Sequence, residues 1–141
     1  YQLDMTGAWS AQAAMEYMQT NLSQYSTANN NMIELIICNN DNMAEGCITA
    51  LQAAGYNNGE GTTTIPVFGV DATDSAQQLI AAGTMTGTIK QDAEGMAKCI
   101  AQLAQNVANG EDLLANTDSY TKDTANNLNN KIFIPYQEYT G

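Results

Sequence analysis

A chain of 141 residues with 44% hydrophobic side chains has the size of one ordinary domain and enough apolar material for a packed core. Its formal charge is -11, with four lysines and no arginine or histidine, so nothing in it would neutralise a phosphate backbone. Nucleic acid and anionic membrane surfaces are thereby excluded as partners, and no run of about 18 apolar residues offers a transmembrane span.

The opening YQLDMTG has no start methionine and no charged leader, so the chain reads as a mature or cleaved polypeptide. Tyr1 to Leu3 is expected as a strand end. A loop with the only tryptophan, Trp9, follows, and Ser10 is a suitable helix N-cap. Met15, Met18, Leu22 and Tyr25 then recur at helical spacing, and the STANNN stretch supplies turn residues. Met32 to Cys38 is an isoleucine-rich strand interrupted by Glu34, and Asn39, Asn40 and Asp41 follow at once. The next helix carries Met43, Cys47, Ile48 and Leu51 on one stripe and closes at Gly55. YNNGEGTTT reads as a surface loop.

Ile65 to Val70 is the central strand. Gly69 inside it marks a place where backbone comes close to something. Asp71 is the first polar side chain beyond it, and a helix is expected from Ser75 to Gly83. Met85 to Ile89 is a third strand, followed by Gln91 and Asp92. A long helix runs from Ala93 past Val107 to Asn109-Gly110. Glu111 to Asn130 reads as a polar loop, and Lys131 to Tyr136, with Pro135, as a short edge strand. Strands alternating with helices and lacking a strict period of two predict an α/β fold, with a parallel sheet covered by helices on both faces. Cys38, Cys47 and Cys99 lie in apolar runs. Their odd number argues against a disulfide framework, and with no CxxC or histidine nearby they are expected as buried free thiols.

Right-handed crossovers would bring the strands' carboxyl ends to one edge, where open α/β sheets bind ligands. Asn39, Asn40 and Asp41 end one strand there, Asp71 the next, and Gln91 and Asp92 the third. Carboxylates accept and amides both accept and donate, which matches a neutral polyhydroxylated ligand. The C–H face of a sugar would then need an aromatic platform, for which Trp9 is the candidate. Helix capping is the competing role for each Asx residue, and core packing for Trp9. GxGxxG, GxxxxGK[ST] and GxSxG are all absent. A carbohydrate-active enzyme using Asp71 and Asp92 is the alternative of a different class, and a catalytic role for Lys90 is disfavoured.

The strings QLDMTGAW, IELIICNNDNMAEG, IPVFGVDA and AAGTMTGTIKQDAEGMAK, in that order, resemble the carboxyl-terminal half of the type I periplasmic sugar-binding proteins, most closely the galactose/glucose-binding branch. The resemblance implies a Rossmann-like lobe of a two-lobed binding protein, incomplete without a complementary segment. It implies that residues 1–90 form a partial carboxyl-terminal sugar-binding lobe, that residues 91–130 pack on the amino-terminal lobe, and that residues 131–141 are a hinge crossover strand and tail. It assigns Asp71 to the carboxylate that grips sugar hydroxyls, Asn40 to the cleft asparagine and Trp9 to the stacking ring. Gln91 takes the place of an asparagine, with one methylene more reach. Glu34 resembles a remote glutamate that completes a calcium site, implying a structural Ca2+.

The function implied is non-enzymatic capture of a glucose- or galactose-like monosaccharide in an interlobe cleft. The implied partners are a complementary polypeptide carrying the other lobe, a membrane ABC permease and a chemoreceptor. A sugar-sensing domain of a regulator or receptor shares the lobe architecture. The implied location is periplasmic or extracellular, including a cell-surface lipoprotein.

Overall fold

The computed structural model describes residues 2–4, 8–123, 128 and 130–141, so the expected strand end at Tyr1 lies partly outside the described residues. The chain divides into two compact units, one of Tyr1–Lys90 with Glu138–Gly141 and one of Gln91–Gln137.

In the first unit, helix α1 (Ala11–Gln24) starts where Ser10 Oγ accepts the Ala13 N–H. Of its expected stripe, Met18 is buried, while Met15 and Leu22 pack half-buried against the core. The STANNN segment forms a 3-10 turn over Thr27–Asn29 and closes on Asn30 at φ 52°. Strand β1 (Ile36–Ile37) leads into helix α2 (Asp41–Ala53), strand β2 (Val67–Val70) into helix α3 (Asp74–Ala81), and strand β3 (Gly87–Lys90) ends the unit's continuous part.

The three strands are parallel, with Ile36 opposite Val67 and Phe68 opposite Gly87. Strand β6 (Gln137–Tyr139) joins beyond β3, giving the order β1-β2-β3-β6. Helices flank both faces of this mostly parallel sheet. Ile48 and Leu51 of α2, Val67 of β2 and Ile65 just before it are almost fully buried in the core. Each such side chain contributes about 1.5–3 kcal/mol by leaving water. Helix α1 lies on α2 so closely that a Cβ at Gly46 would overlap the Ala11 carbonyl oxygen.

β1 is shorter than the seven-residue strand expected from Met32 to Cys38. Among the described residues its only ladder partner is β2, and Pro66, just upstream of β2, has no N–H to donate. Pro66 still accepts from the Ile36 N–H at 2.9 Å, and pairing goes no further upstream. The YNNGEGTTT segment also departs from a plain surface loop, because Asn57 is fully buried. Its Nδ2 donates to the carbonyls of Ile65 and Thr84 at 2.8 and 3.0 Å, and its Oδ1 accepts from the Ile65 N–H at 2.8 Å. One asparagine thus satisfies backbone groups that lie beyond the end of the sheet.

In the second unit, helix α4 (Ala93–Asn109) is capped by Asp92 and ends at Gly110, whose φ of 68° is the left-handed turn expected there. The stretch after it is more structured than a loop. Asn106 is fully buried and donates to the carbonyls of Leu113 and Ala115. Strand β4 (Thr121–Lys122) pairs antiparallel with β5 (Ile132–Phe133), a local pairing that hydrophobic periodicity does not reveal. β5 covers only two residues of the expected Lys131–Tyr136 strand, since Pro135 ends it.

Candidate functional site

Asn40 and Asp71 occupy matching positions beyond neighbouring strands. Ile37 is opposite Phe68, and each site residue lies three positions further along its parallel strand. Asn40 is half-buried and caps α2, its Oδ1 accepting the Met43 N–H at 2.9 Å. Its Nδ2 makes no hydrogen bond among the described residues and remains available as a donor. Capping and ligand contact are therefore compatible in this one side chain. Asn39, beside it, is exposed.

The corner at Asp71 is strained and fully held. Asp71 and Ala72 adopt φ of 119° and 54° without being glycine, which costs on the order of 1–3 kcal/mol per residue. Three successive backbone N–H groups pin it. Asp71 donates to the Ile89 carbonyl at 2.8 Å, Ala72 to Thr88 Oγ1 at 3.3 Å and Thr73 to Asp41 Oδ2 at 2.8 Å. The Ala72 carbonyl accepts from Gln77 Nε2 at 2.8 Å. Thr73 Oγ1 then caps α3 by accepting the Ala76 N–H. The result of this bracing is an outward Asp71 carboxylate. Partial burial, and then the nearby Asp41 charge, hold its pKa above the usual aspartate value.

Asp41 is the residue that sequence reasoning placed in the ligand cluster and the structure places beneath it. It is fully buried. Its Oδ1 accepts the Thr88 hydroxyl at 2.6 Å and its Oδ2 accepts the Thr73 amide. A single carboxylate thus ties the start of α2 to the β2–α3 corner and to β3. Gly69 is the sequence signal for this arrangement. A Cβ there would overlap Asp41 Oδ1 and would meet Met85 Cε at 3.0 Å and Asp41 Cα at 3.2 Å. The close approach expected at Gly69 is to this buried carboxylate.

Trp9 lies in a turn with φ of 60°, after Ala8 at 47°, and is 67% exposed. Contact between Ala11 and Gly46 sets the start of α1 beside the second turn of α2. The indole is exposed, so a core-packing role for it is not what the structure shows. Gln91 belongs to the second unit, directly after β3, and is half-buried. Next to it, Asp92 Oδ1 accepts the Gly95 N–H at 2.9 Å as the cap of α4.

Glu34 sits at the opposite edge of the sheet, before β1. It lines an open groove of about 500 Å³ with Asn30, Asn31, Thr64 and Pro66. Calcium takes six to eight oxygen ligands. Among the described residues Glu34 is the only carboxylate lining this groove, and no group of three or more acidic or thiol side chains is arranged to hold a metal ion. These residues alone do not complete a calcium shell.

A mostly parallel sheet with helices on both faces is consistent with one lobe of a two-lobed periplasmic binding fold. Residues 2–112 match the periplasmic binding protein domain, and the chain belongs to that family. It is 39% identical over 131 residues to the D-galactose/methyl-galactoside binding periplasmic protein of Haemophilus influenzae, covering 93% of this chain and 35% of that protein. It is 33% identical to the D-xylose-binding periplasmic protein of Escherichia coli over 77% of this chain and 30% of that one. An ABC transporter solute binding protein from Bacillus halodurans, solved with bound myo-inositol, superimposes with a TM-score of 0.65 at 29% identity, over 94% of this chain and 37% of that one. The chain thus spans about a third of the length of the curated relatives it matches. The family is periplasmic and non-catalytic, which sets aside the carbohydrate-active enzyme built on Asp71 and Asp92.

Proposed function

We propose that this chain contributes the carboxyl-terminal lobe's share of a monosaccharide-binding cleft and that the bound sugar is handed to an ABC permease. The observation that carries this reading is the Asp71 corner. Two strained residues are held by three hydrogen bonds donated by backbone N–H groups, and the arrangement leaves one carboxylate outward at the strand position that matches that of Asn40. Helix capping alone explains none of that, since Thr73 is the cap of α3.

In this reading Asp71 accepts two sugar hydroxyls, Asn40 donates to a third through Nδ2, and Trp9 covers the C–H face of the ring. Gln91, in the other unit, keeps its role as a hydroxyl-binding amide on sequence resemblance. A hexose of the galactose or glucose type is the first candidate, in line with the 39% identical relative. Xylose and inositol are the next, since proteins named for them or holding them are also similar.

A complementary segment is part of the proposal. Leu35 and Ile37, on the edge-strand side of the sheet, are 52% and 75% exposed. Two positions apart, these side chains share one face of the sheet, and an exposed apolar face calls for cover. Residues 91–130 are assigned to the companion lobe and 131–141 to a crossover, with a chemoreceptor as a further partner. Structural calcium at Glu34 would need oxygen ligands from that complementary segment.

The single tryptophan makes the test direct. Titrating galactose, glucose, xylose and myo-inositol into the intact protein while following indole fluorescence is expected to give a saturable change with one of them. Calorimetric binding with no change in the indole signal would remove Trp9 from the site. No binding of any of the four would remove the reading itself.

A further inference from the structure

The two buried sulfurs of Cys38 and Cys47 lie 3.8 Å apart, one at the end of β1 and the other in the second turn of α2. Cys99 is buried in the second unit. A disulfide holds its sulfurs about 2.05 Å apart, so the pair needs roughly 1.8 Å of closure from its 3.8 Å separation. Torsional adjustment of two side chains is a plain route to that closure. The family is periplasmic, and disulfides form and persist in that compartment. From this geometry we propose that Cys38 and Cys47 are a reversible dithiol–disulfide pair, with a small-molecule or protein disulfide as the oxidant. The bridge would span residues 39–46, which include the capping Asn40 and the buried Asp41. Oxidation would therefore staple the segment that supports the ligand edge.

The chemistry balances as thiol–disulfide exchange. The Cys38 thiolate attacks one sulfur of the oxidant disulfide, breaking its S–S bond and releasing one thiolate. Cys47 gives its proton to that released thiolate and attacks the Cys38 sulfur. The second oxidant thiolate leaves and takes up the proton that Cys38 gave to solvent when it ionised. Two protein thiols lose two electrons and one disulfide becomes two thiols. Either sulfur can donate in the contact between the two thiols, so the exchange can start from either one, and the contact shifts both. It holds the Cys38 thiol below its ordinary pKa, against the effect of burial. The Cys47 thiol is pushed up by the same bond and by burial.

The test equilibrates the intact protein in oxidised and reduced glutathione buffers of graded ratio. It does so once in the native state and once during refolding from urea, so that burial cannot hide a reactive pair. Free thiols are then trapped with N-ethylmaleimide and peptides are mapped by mass spectrometry. The proposal expects a Cys38–Cys47 linked peptide that dithiothreitol reverses, with Cys99 alkylated, and persistence of the link in Cys99→Ser. It expects no intramolecular link in Cys38→Ser. Full alkylation of Cys38 and Cys47 at the most oxidising ratio in both arms would overturn it. So would links that involve only Cys99 or a second chain.

Discussion

Replacing Asp41 by alanine probes the bracing of the ligand edge most sharply. The carboxylate is fully buried and accepts two hydrogen bonds, from the Thr73 amide at 2.8 Å and the Thr88 hydroxyl at 2.6 Å. Bonds to an ionised acceptor contribute about 1.5–3 kcal/mol each, and a buried donor left without a partner carries its full desolvation cost. The two losses share one site and are not additive. Relief from burying a charge offsets part of them. The net expectation is a loss of about 3–5 kcal/mol. Asp41→Asn keeps the volume and one acceptor oxygen but sets an amide N–H2 against one of the two donors, so about 1–3 kcal/mol is expected. Urea unfolding measures both values. Hydrogen exchange at the amides of Asp71, Ala72 and Thr73 reads the corner directly and should speed up in the same rank order. Both variants with wild-type stability and unchanged exchange at these three amides would refute the idea that Asp41 holds the corner.

Gly69→Ala should destabilise by about 1–3 kcal/mol through overpacking, because its Cβ would press on Asp41 and Met85, and urea unfolding reads this. Leu51→Ala, at a fully buried position, should cost about 2–5 kcal/mol by the same measurement and leave the ligand edge intact. Asp71 should titrate above the usual aspartate value near 3.9 when followed by carboxyl-carbon NMR. Its folded pKa is raised, so the fold favours the protonated form. The stability this gives is full below the unfolded pKa and is lost as pH rises through the folded one. Sugar affinity should run the other way, falling as pH drops through the raised pKa, and Asp41→Asn should bring the Asp71 midpoint down.

The alternation of strands and helices was legible because helically spaced apolar stripes alternate with short apolar runs, and the helix caps agree with it. Ser10, Asn40, Thr73 and Asp92 all accept from the third residue along, and Gly110 closes the last helix in the left-handed region. Strand lengths were less legible. An apolar run such as Met32 to Cys38 specifies burial but says nothing of whether a partner strand offers donors, and Pro66 does not. The β4–β5 pair and the buried Asn57 and Asn106 escaped notice for a related reason. Each joins polar groups that periodicity treats as loop. At the ligand edge, Asp71 stood out as the first polar residue past a strand. Asp41 could be seen but not assigned, because an aspartate after a strand looks the same whether it faces solvent or lies beneath the corner. Only Gly69, two residues before Asp71, hinted at which it was.

Isothermal titration of the intact protein with galactose, glucose, xylose and myo-inositol, run in parallel on Asp71→Asn, tests the central claim most directly. The account predicts saturable one-site binding of at least one of these ligands and a loss of about 100-fold or more in affinity for the variant, the scale of a charge-assisted hydrogen-bond pair. Binding by Asp71→Asn at wild-type affinity, or no binding of any of the four by the wild type, would contradict it.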